Sequence, residues 1–115
     1  MWAGNSMEER RQHQRVDISF PLEYSLLPSS KYFYTVSKDL SMGGLRIIVD
    51  KFLAKNNMVK VGINLIDRLV NVKARVAWCN QQGNTDRFMA GLEFLEINKD
   101  DQRTIDKFLT RFAEA

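Results

Sequence analysis

One cysteine, one histidine and two prolines are all this 115-residue chain holds of the residues that staple, ligate or stiffen small folds. Cys79 has no second thiol to pair with, so an internal disulfide is excluded and a reducing, cytoplasmic compartment is expected. A structural zinc site takes about four Cys/His ligands, and Cys79 and His13 are the whole supply. No apolar run approaches the ~20 residues that span a bilayer, so membrane insertion is not expected. The N-terminal MWAGNSMEERR lacks the apolar core of a secretory leader. His13 has no nucleophile or orienting carboxylate near it, and general-base catalysis needs positioned partners. The Gly-rich step Ser41–Gly44 lacks the lysine and the spacing of a phosphate-binding P-loop. Neither an enzyme nor a cofactor protein is expected. Net charge is only +3, sparser than the basic stripe that a binder of long nucleic acid carries.

What the chain does have is the raw material of one β-rich domain. Apolar residues make up 44% and charged residues 27%, ordinary globular values that argue against wholesale disorder. A chain this long buries roughly two-thirds of its extended-state surface, enough for a core without staples. Met1 to about Gln14 is polar without periodicity and reads as a flexible arm. From Val16 to Tyr24 apolar and polar residues alternate, the period of a half-buried strand. Pro21 cannot donate to a ladder, so an edge or a bulge is expected there. Leu27-Pro28-Ser29-Ser30 reads as a turn. Tyr32–Leu40, Leu45–Val49, Met58–Leu65, Leu69–Trp78 and Phe88–Leu95 supply five more strands. The alternation sets Tyr32, Tyr34, Val36, Lys38 and Leu40 on one face. It also sets Val70, Val72, Ala74, Val76 and Trp78 together. Short strands between regular turn signals favour a sandwich or small barrel. Asn98 is an N-cap candidate, with Asp100 and Asp101 in the first turn it opens. Ile105, Phe108, Leu109 and Phe112 then form one apolar helical stripe.

Two short motifs stand out against this frame. Arg10-Arg11-Gln12-His13-Gln14-Arg15 gathers guanidinium groups just before the first strand. Asp39-Leu40-Ser41-Met42-Gly43-Gly44 sets a carboxylate, a hydroxyl and two glycines where two strands meet. Taken singly, the first is equally a solvated arm, and the second an ordinary turn with Asp and Ser bonding local amides. Taken together they suit a phosphorylated guanine ligand. Arginine forks bind phosphate bidentately and pair with guanine O6 and N7. Asp39 can accept from guanine N1–H or N2–H, Ser41 can meet a polar edge, and Gly43 and Gly44 permit close approach.

In their order and setting these motifs resemble the PilZ family of cyclic di-GMP receptors. Arg11-x-x-x-Arg15 stands directly before the first strand, and Asp39-x-Ser41-x-x-Gly44 follows one hairpin later. Val76-Ala77-Trp78 and Gly91-Leu92-Glu93-Phe94 are similar too, and the likeness runs from about Glu9 to Ala115. It implies a mainly β fold: a six-stranded antiparallel barrel over residues 16–97, a C-terminal helix over 98–114 and a ligand-binding arm at 10–15, after an extension at 1–9. It implies that Arg11 and Arg15 grip phosphates and guanine Hoogsteen edges, that Asp39 and Ser41 hold guanine, and that Gly44 allows close approach. Arg10, by the same likeness, favours a stacked ligand dimer, two cyclic di-GMP per domain. Trp78 matches an aromatic that stacks on guanine, though a core or rim tryptophan would look the same. No output domain is read on the chain, so signalling is expected through a partner protein. The competing readings are a ligand-independent PilZ adaptor and a small-barrel binder of single-stranded nucleic acid.

Overall fold

A computed structural model describes residues 15–65 and 68–113. The expected arm, with Arg10, Arg11 and His13, lies outside the described residues. Six strands and one helix follow in order: β1 (Pro21–Leu26), β2 (Phe33–Leu40), β3 (Gly44–Val49), β4 (Met58–Leu65), β5 (Arg68–Gln81), β6 (Phe88–Ile97) and α1 (Lys99–Ala113). All pairings are antiparallel, and the sheet closes in the order β1-β2-β3-β6-β5-β4. The sixth strand in sequence therefore slots between the third and the fifth.

The first strand starts later than its alternation predicts. Val16 makes only a bridge, exchanging backbone hydrogen bonds with Leu40 (2.9 and 3.0 Å). Between it and β1, Ser37 takes over the pairing. Its hydroxyl donates to the Ile18 carbonyl (3.0 Å) and accepts from the Phe20 amide (3.2 Å), while its amide donates to the Phe20 carbonyl (3.0 Å). A side chain thus does the work of a ladder for residues 18–20. Pro21 sits neither at a free edge nor in a bulge. It opens β1 opposite Val36, a first position where a missing N–H costs least.

Inward residues of the six strands form one core, from Leu22 and Tyr24 through Ile47, Val61, Ile63, Val70, Val72 and Val76 to Leu92. Tyr24 stacks on Phe33 with centroids 5.4 Å apart. Asn98 caps α1 as expected, its Oδ1 accepting from the Asp101 amide at 2.8 Å. Asp101 is itself buried. Its carboxylate accepts from Arg68 Nη2 (3.2 Å), the Asn71 amide (3.3 Å) and Asn98 Nδ2 (3.1 Å), tying the first helical turn to β5. The predicted stripe docks as expected. Ile105, Phe108 and Leu109 join the barrel core, and Phe108 meets Phe20 edge-on at 6.0 Å.

Two faces predicted by strict alternation are corrected by β-bulges. The β2–β3 register shifts between Ser37 and Asp39, so Lys38 is the extra residue. Tyr34 and Val36 consequently face solvent, Tyr34 at 81% exposure, while Leu40 is fully buried. The β5–β6 register shifts between Val76 and Trp78, so Ala77 is extra there. Val70, Val72, Ala74 and Val76 point inward together, but Trp78 is turned out.

Candidate functional site

The pairing register lines up four residues from four strands. Asp39 on β2 is opposite Arg46 on β3, Arg46 is opposite Gly91 on β6, and Gly91 is opposite Trp78 on β5. This row lies on the outer barrel surface, and the bulges are what put its two ends there. Without Lys38 as an extra residue, Asp39 would share the inward parity of Ser37. Without Ala77, Trp78 would share that of Val76. A bulge beside a site re-aims a side chain in this way.

Around the row lies a cavity of about 230 Å³, lined by Arg15, Asp39, Leu45, Arg46, Ala77, Trp78, Gly91 and Leu92. Its floor is apolar, one wall is aromatic, and its polar groups are two guanidinium forks around one carboxylate. Asp39 Oδ1 accepts from the Arg46 amide (2.9 Å), and Oδ2 accepts from Arg46 Nε (2.7 Å). Arg15 Nε stands 3.3 Å from the same Oδ2. The two arginines cover Asp39 so well that its side chain is only 2% exposed, although it projects from the outer face. Arg15 and Arg46 remain 50% and 35% exposed. Two cations on one anion leave a positive charge in excess at the cavity mouth, the polarity that attracts phosphate.

Gly91 lets the aromatic wall lie flat. A Cβ at this position would overlap Nε1 and Cε2 of the Trp78 indole. The ring, 38% exposed, therefore rests on bare backbone and leans across β6 toward β3. A tryptophan held this way presents an aromatic surface at the cavity, as a base-stacking residue must.

Of the residues expected to form the site, Arg15, Asp39 and Trp78 meet in this cavity. Ser41, Gly43 and Gly44 form the adjoining turn and do not line it. The Ser41 amide and hydroxyl both donate to the Gly44 carbonyl (2.9 and 3.2 Å), and the Ser41 hydroxyl accepts from the Gly43 amide (3.2 Å). The Gly43 carbonyl accepts from the Phe94 amide (2.9 Å), fastening this turn to β6. Arg10 and Arg11 lie outside the described residues. Arg46 and Gly91 line the cavity as well, although neither belongs to the two motifs. In Leu45-Arg46-Ile47 the arginine reads as any outward strand residue, and only register reveals its neighbours. Gly91 did carry a signal, because a lone glycine inside a strand pattern marks a close approach of something to the backbone.

A larger groove of about 530 Å³ runs past Leu27, Lys60, Lys73 and Glu96. It has no aromatic and no arginine in its lining, and Lys73 is already paired with Glu96 at 3.7 Å. Among the described residues no cluster of His, Cys, Asp and Glu is placed to hold a metal, and no helix is long and apolar enough to cross a membrane.

Comparison with known proteins gives this surface a family. A family model described as the PilZ domain matches residues 9–111, and the chain belongs to that family. Solved structures share the fold at low identity. The inhibitor of motility MotI/DgrA of Bacillus subtilis superposes with a TM-score of 0.77 at 21% identity, over 89% of this chain and 50% of that one. The PilZ domain of Escherichia coli YcgR with c-di-GMP gives 0.71 at 13% identity, covering 91% of this chain and 92% of that domain. The PilZ domain of CeSA from a cellulose-synthesizing bacterium gives 0.63 at 18% identity, covering 87% and 98%. The chain thus spans half the length of MotI and nearly all of the isolated PilZ domains. A comparison with curated proteins returned no match.

Proposed function

We propose that this chain is a bacterial cyclic di-GMP receptor that acts in the cytoplasm through a partner protein, without catalysis. The observation that carries the reading is the convergence of both motifs on one cavity. Arg15, the last residue of the first motif, pairs with Asp39, the first residue of the second, beside an exposed tryptophan on an apolar floor. Arginine forks, a guanine-facing aromatic and a cationic mouth are what a cyclic guanine dinucleotide needs. The matching YcgR domain was solved with the same ligand, which supports the reading from a relative.

In this reading Arg10, Arg11 and Arg15 close over the ligand from the arm. Arg10 holds a second, intercalated cyclic di-GMP, for two per domain. Ser41, Gly43 and Gly44 serve as the slim turn beside it. Ordering the arm creates a partly anionic surface that a downstream protein recognises, provided the ligand binds one arm conformation better than the other.

Calorimetric titration tests this directly. Cyclic di-GMP should saturate the chain at two per protein. Arg15→Ala should lower affinity about tenfold to a hundredfold, the loss of one charge-assisted contact, with thermal unfolding nearly unchanged. Arg10→Leu should bring the ratio from two to one. No heat of binding from the wild-type chain would sink the receptor reading, and a wild-type ratio of one would remove only the intercalated pair.

A further inference from the structure

A groove away from the ligand cavity lies between α1 and residues 18–21. We infer that it is the docking surface for the partner protein, and that it takes an acidic segment bearing bulky apolar side chains. Its role in signalling rests on the receptor reading, whereas the docking itself rests on the groove alone.

The groove opens because a ladder stops. Phe20 turns its amide and carbonyl toward Ser37 of β2. Pro21, next in the strand, is therefore turned toward β4 and has no N–H to give it. The β1–β4 ladder ends at Leu22↔Ile63, while β4 runs on through Asn64 and Leu65, paired with β5 alone. Beside that gap lies an apolar cavity of about 310 Å³, walled by Ile18, Phe20, Pro21, Leu65, Phe108 and Phe112.

Leu65 and Phe108 also line a second cavity of about 250 Å³, so the two run together along the helix. This second compartment is cationic, with Arg68, Lys107 and Arg111 around it. Arg68 is held by buried Asp101 at 3.2 Å, and Lys107 and Arg111 lie one helical turn apart. Among the described residues no carboxylate lines either cavity, and neither Lys107 nor Arg111 makes an ion pair.

An apolar cleft that passes into a basic one suits an occupant with apolar groups and carboxylates side by side. A bilayer does not reach the floor, because Phe20 and Phe108 are buried and none of the large exposed apolar side chains lines the groove. Phe108 packs its ring on Phe20 and Phe112, with centroids 6.0 and 4.6 Å away, rather than offering it to a nucleic-acid base. Separate side chains of a peptide can enter, and the uncompensated charge draws an acidic one in. The groove is tied to the ligand site as well. Arg15 meets Asp39 there, Val16 bridges to Leu40, and Ser37 grips residues 18–20, which belong to the groove wall. One short stretch, Arg15 to Pro21, thus touches both places.

The test titrates the full isotope-labelled chain with synthetic peptides and follows its amide resonances. One peptide alternates glutamate with leucine and phenylalanine; a second has lysine for each glutamate; a third has serine for each apolar residue. Only the first should bind, moving Leu65, Arg68, Lys107 and Phe112 and leaving Gly91 still. Lys107→Glu/Arg111→Glu, at exposed helix positions, should weaken that peptide about tenfold or more without unfolding the chain. Ser19→Trp, at the exposed rim, should weaken it by filling the apolar end. Cyclic di-GMP should change the wild-type affinity for the peptide about fivefold or more, the usual size of a coupling between sites. Equal binding of the lysine peptide, shifts on another face only, or wild-type affinity in both variants would overturn the docking surface. Preference for phosphatidylglycerol vesicles or a single-stranded oligonucleotide, lost in the double variant, would overturn the peptide as occupant. A chain that binds cyclic di-GMP with no effect on the peptide would overturn the role in signalling. Peptide binding without any cyclic di-GMP binding would defeat the receptor reading and uphold the docking surface.

Discussion

Along β4 the ladders run without a shift on both sides, five pairs with β1 and eight with β5. Across β2–β3 and β5–β6 the register slips three times, after Ser37, Lys73 and Val76. The unshifted side keeps strict alternation, and its inward Val59, Val61, Ile63, Leu65, Val70 and Val72 are all but inaccessible to solvent. The shifted side spends that regularity on aiming. Two of its slips turn Asp39 and Trp78 outward into one row with Arg46 and Gly91. One side of the barrel is thus built for packing and the other for display, and the two should fail differently.

The largest effect is expected on the packed side. Ile63→Ala removes a fully buried side chain from β4, and such truncations cost about 2–5 kcal/mol. Chemical denaturation should show that loss, while the chain that remains folded keeps its ligand affinity. Affinity that fell in proportion to stability would mean the two sides are not separable.

Tyr24, on β1, carries the second prediction. Burial, then the nearby charges of Asp50 and Cys79, push its phenol up to about 12 from the ordinary 10. A phenol whose folded pKa exceeds its unfolded value contributes full stability below about pH 10 and loses it as pH rises toward 12. Two units correspond to roughly 2–3 kcal/mol. Stability measured between pH 9 and 12 should fall by about that much more in wild type than in Tyr24→Phe. Parallel curves for the two proteins would show that the phenol titrates normally.

The smallest change in stability belongs to the displayed side. Gly91→Ala puts a Cβ into the space of the Trp78 indole, so the ring must swing away. Relieving a glycine in a strand gains about 0.5–1 kcal/mol, which offsets the lost ring contact and leaves unfolding nearly unmoved. Tryptophan emission should shift, and affinity for cyclic di-GMP should drop about tenfold or less. Unchanged affinity with a shifted emission would remove Trp78 from the grip and leave the arginines.

The packed side could be read from the chain almost residue by residue. Val70, Val72, Ala74 and Val76 alternate in sequence and face inward together, and the Asn98 cap and the Ile105–Phe108–Leu109 stripe act as their spacing says. The displayed side could be read only in part. A bulge is a mismatch between two strands, and no single strand's periodicity carries it. Counting by twos through Lys38 and Ala77 therefore put Leu40 with Tyr34 and Trp78 with Val76, on the wrong faces. The surroundings of Arg46 were illegible for a related reason. Its neighbours Asp39 and Gly91 come from strands on either side, seven and forty-five positions away in the chain. The Ser37 hydroxyl that replaces a ladder for residues 18–20 likewise leaves no trace in an alternating pattern.

The order of strands around the barrel has a consequence for when this row exists at all. Asp39 and Arg46 become neighbours as soon as one hairpin forms, but Gly91 and Trp78 reach them only when β6 enters between β3 and β5. Any ligand spanning the row must therefore wait for the last strand to be seated, and it has nothing to hold on a chain still open there. Such a ligand acts as an inspector of completed barrels. At a hundred times its dissociation constant, each bound molecule would add about 2.7 kcal/mol to the closed form alone.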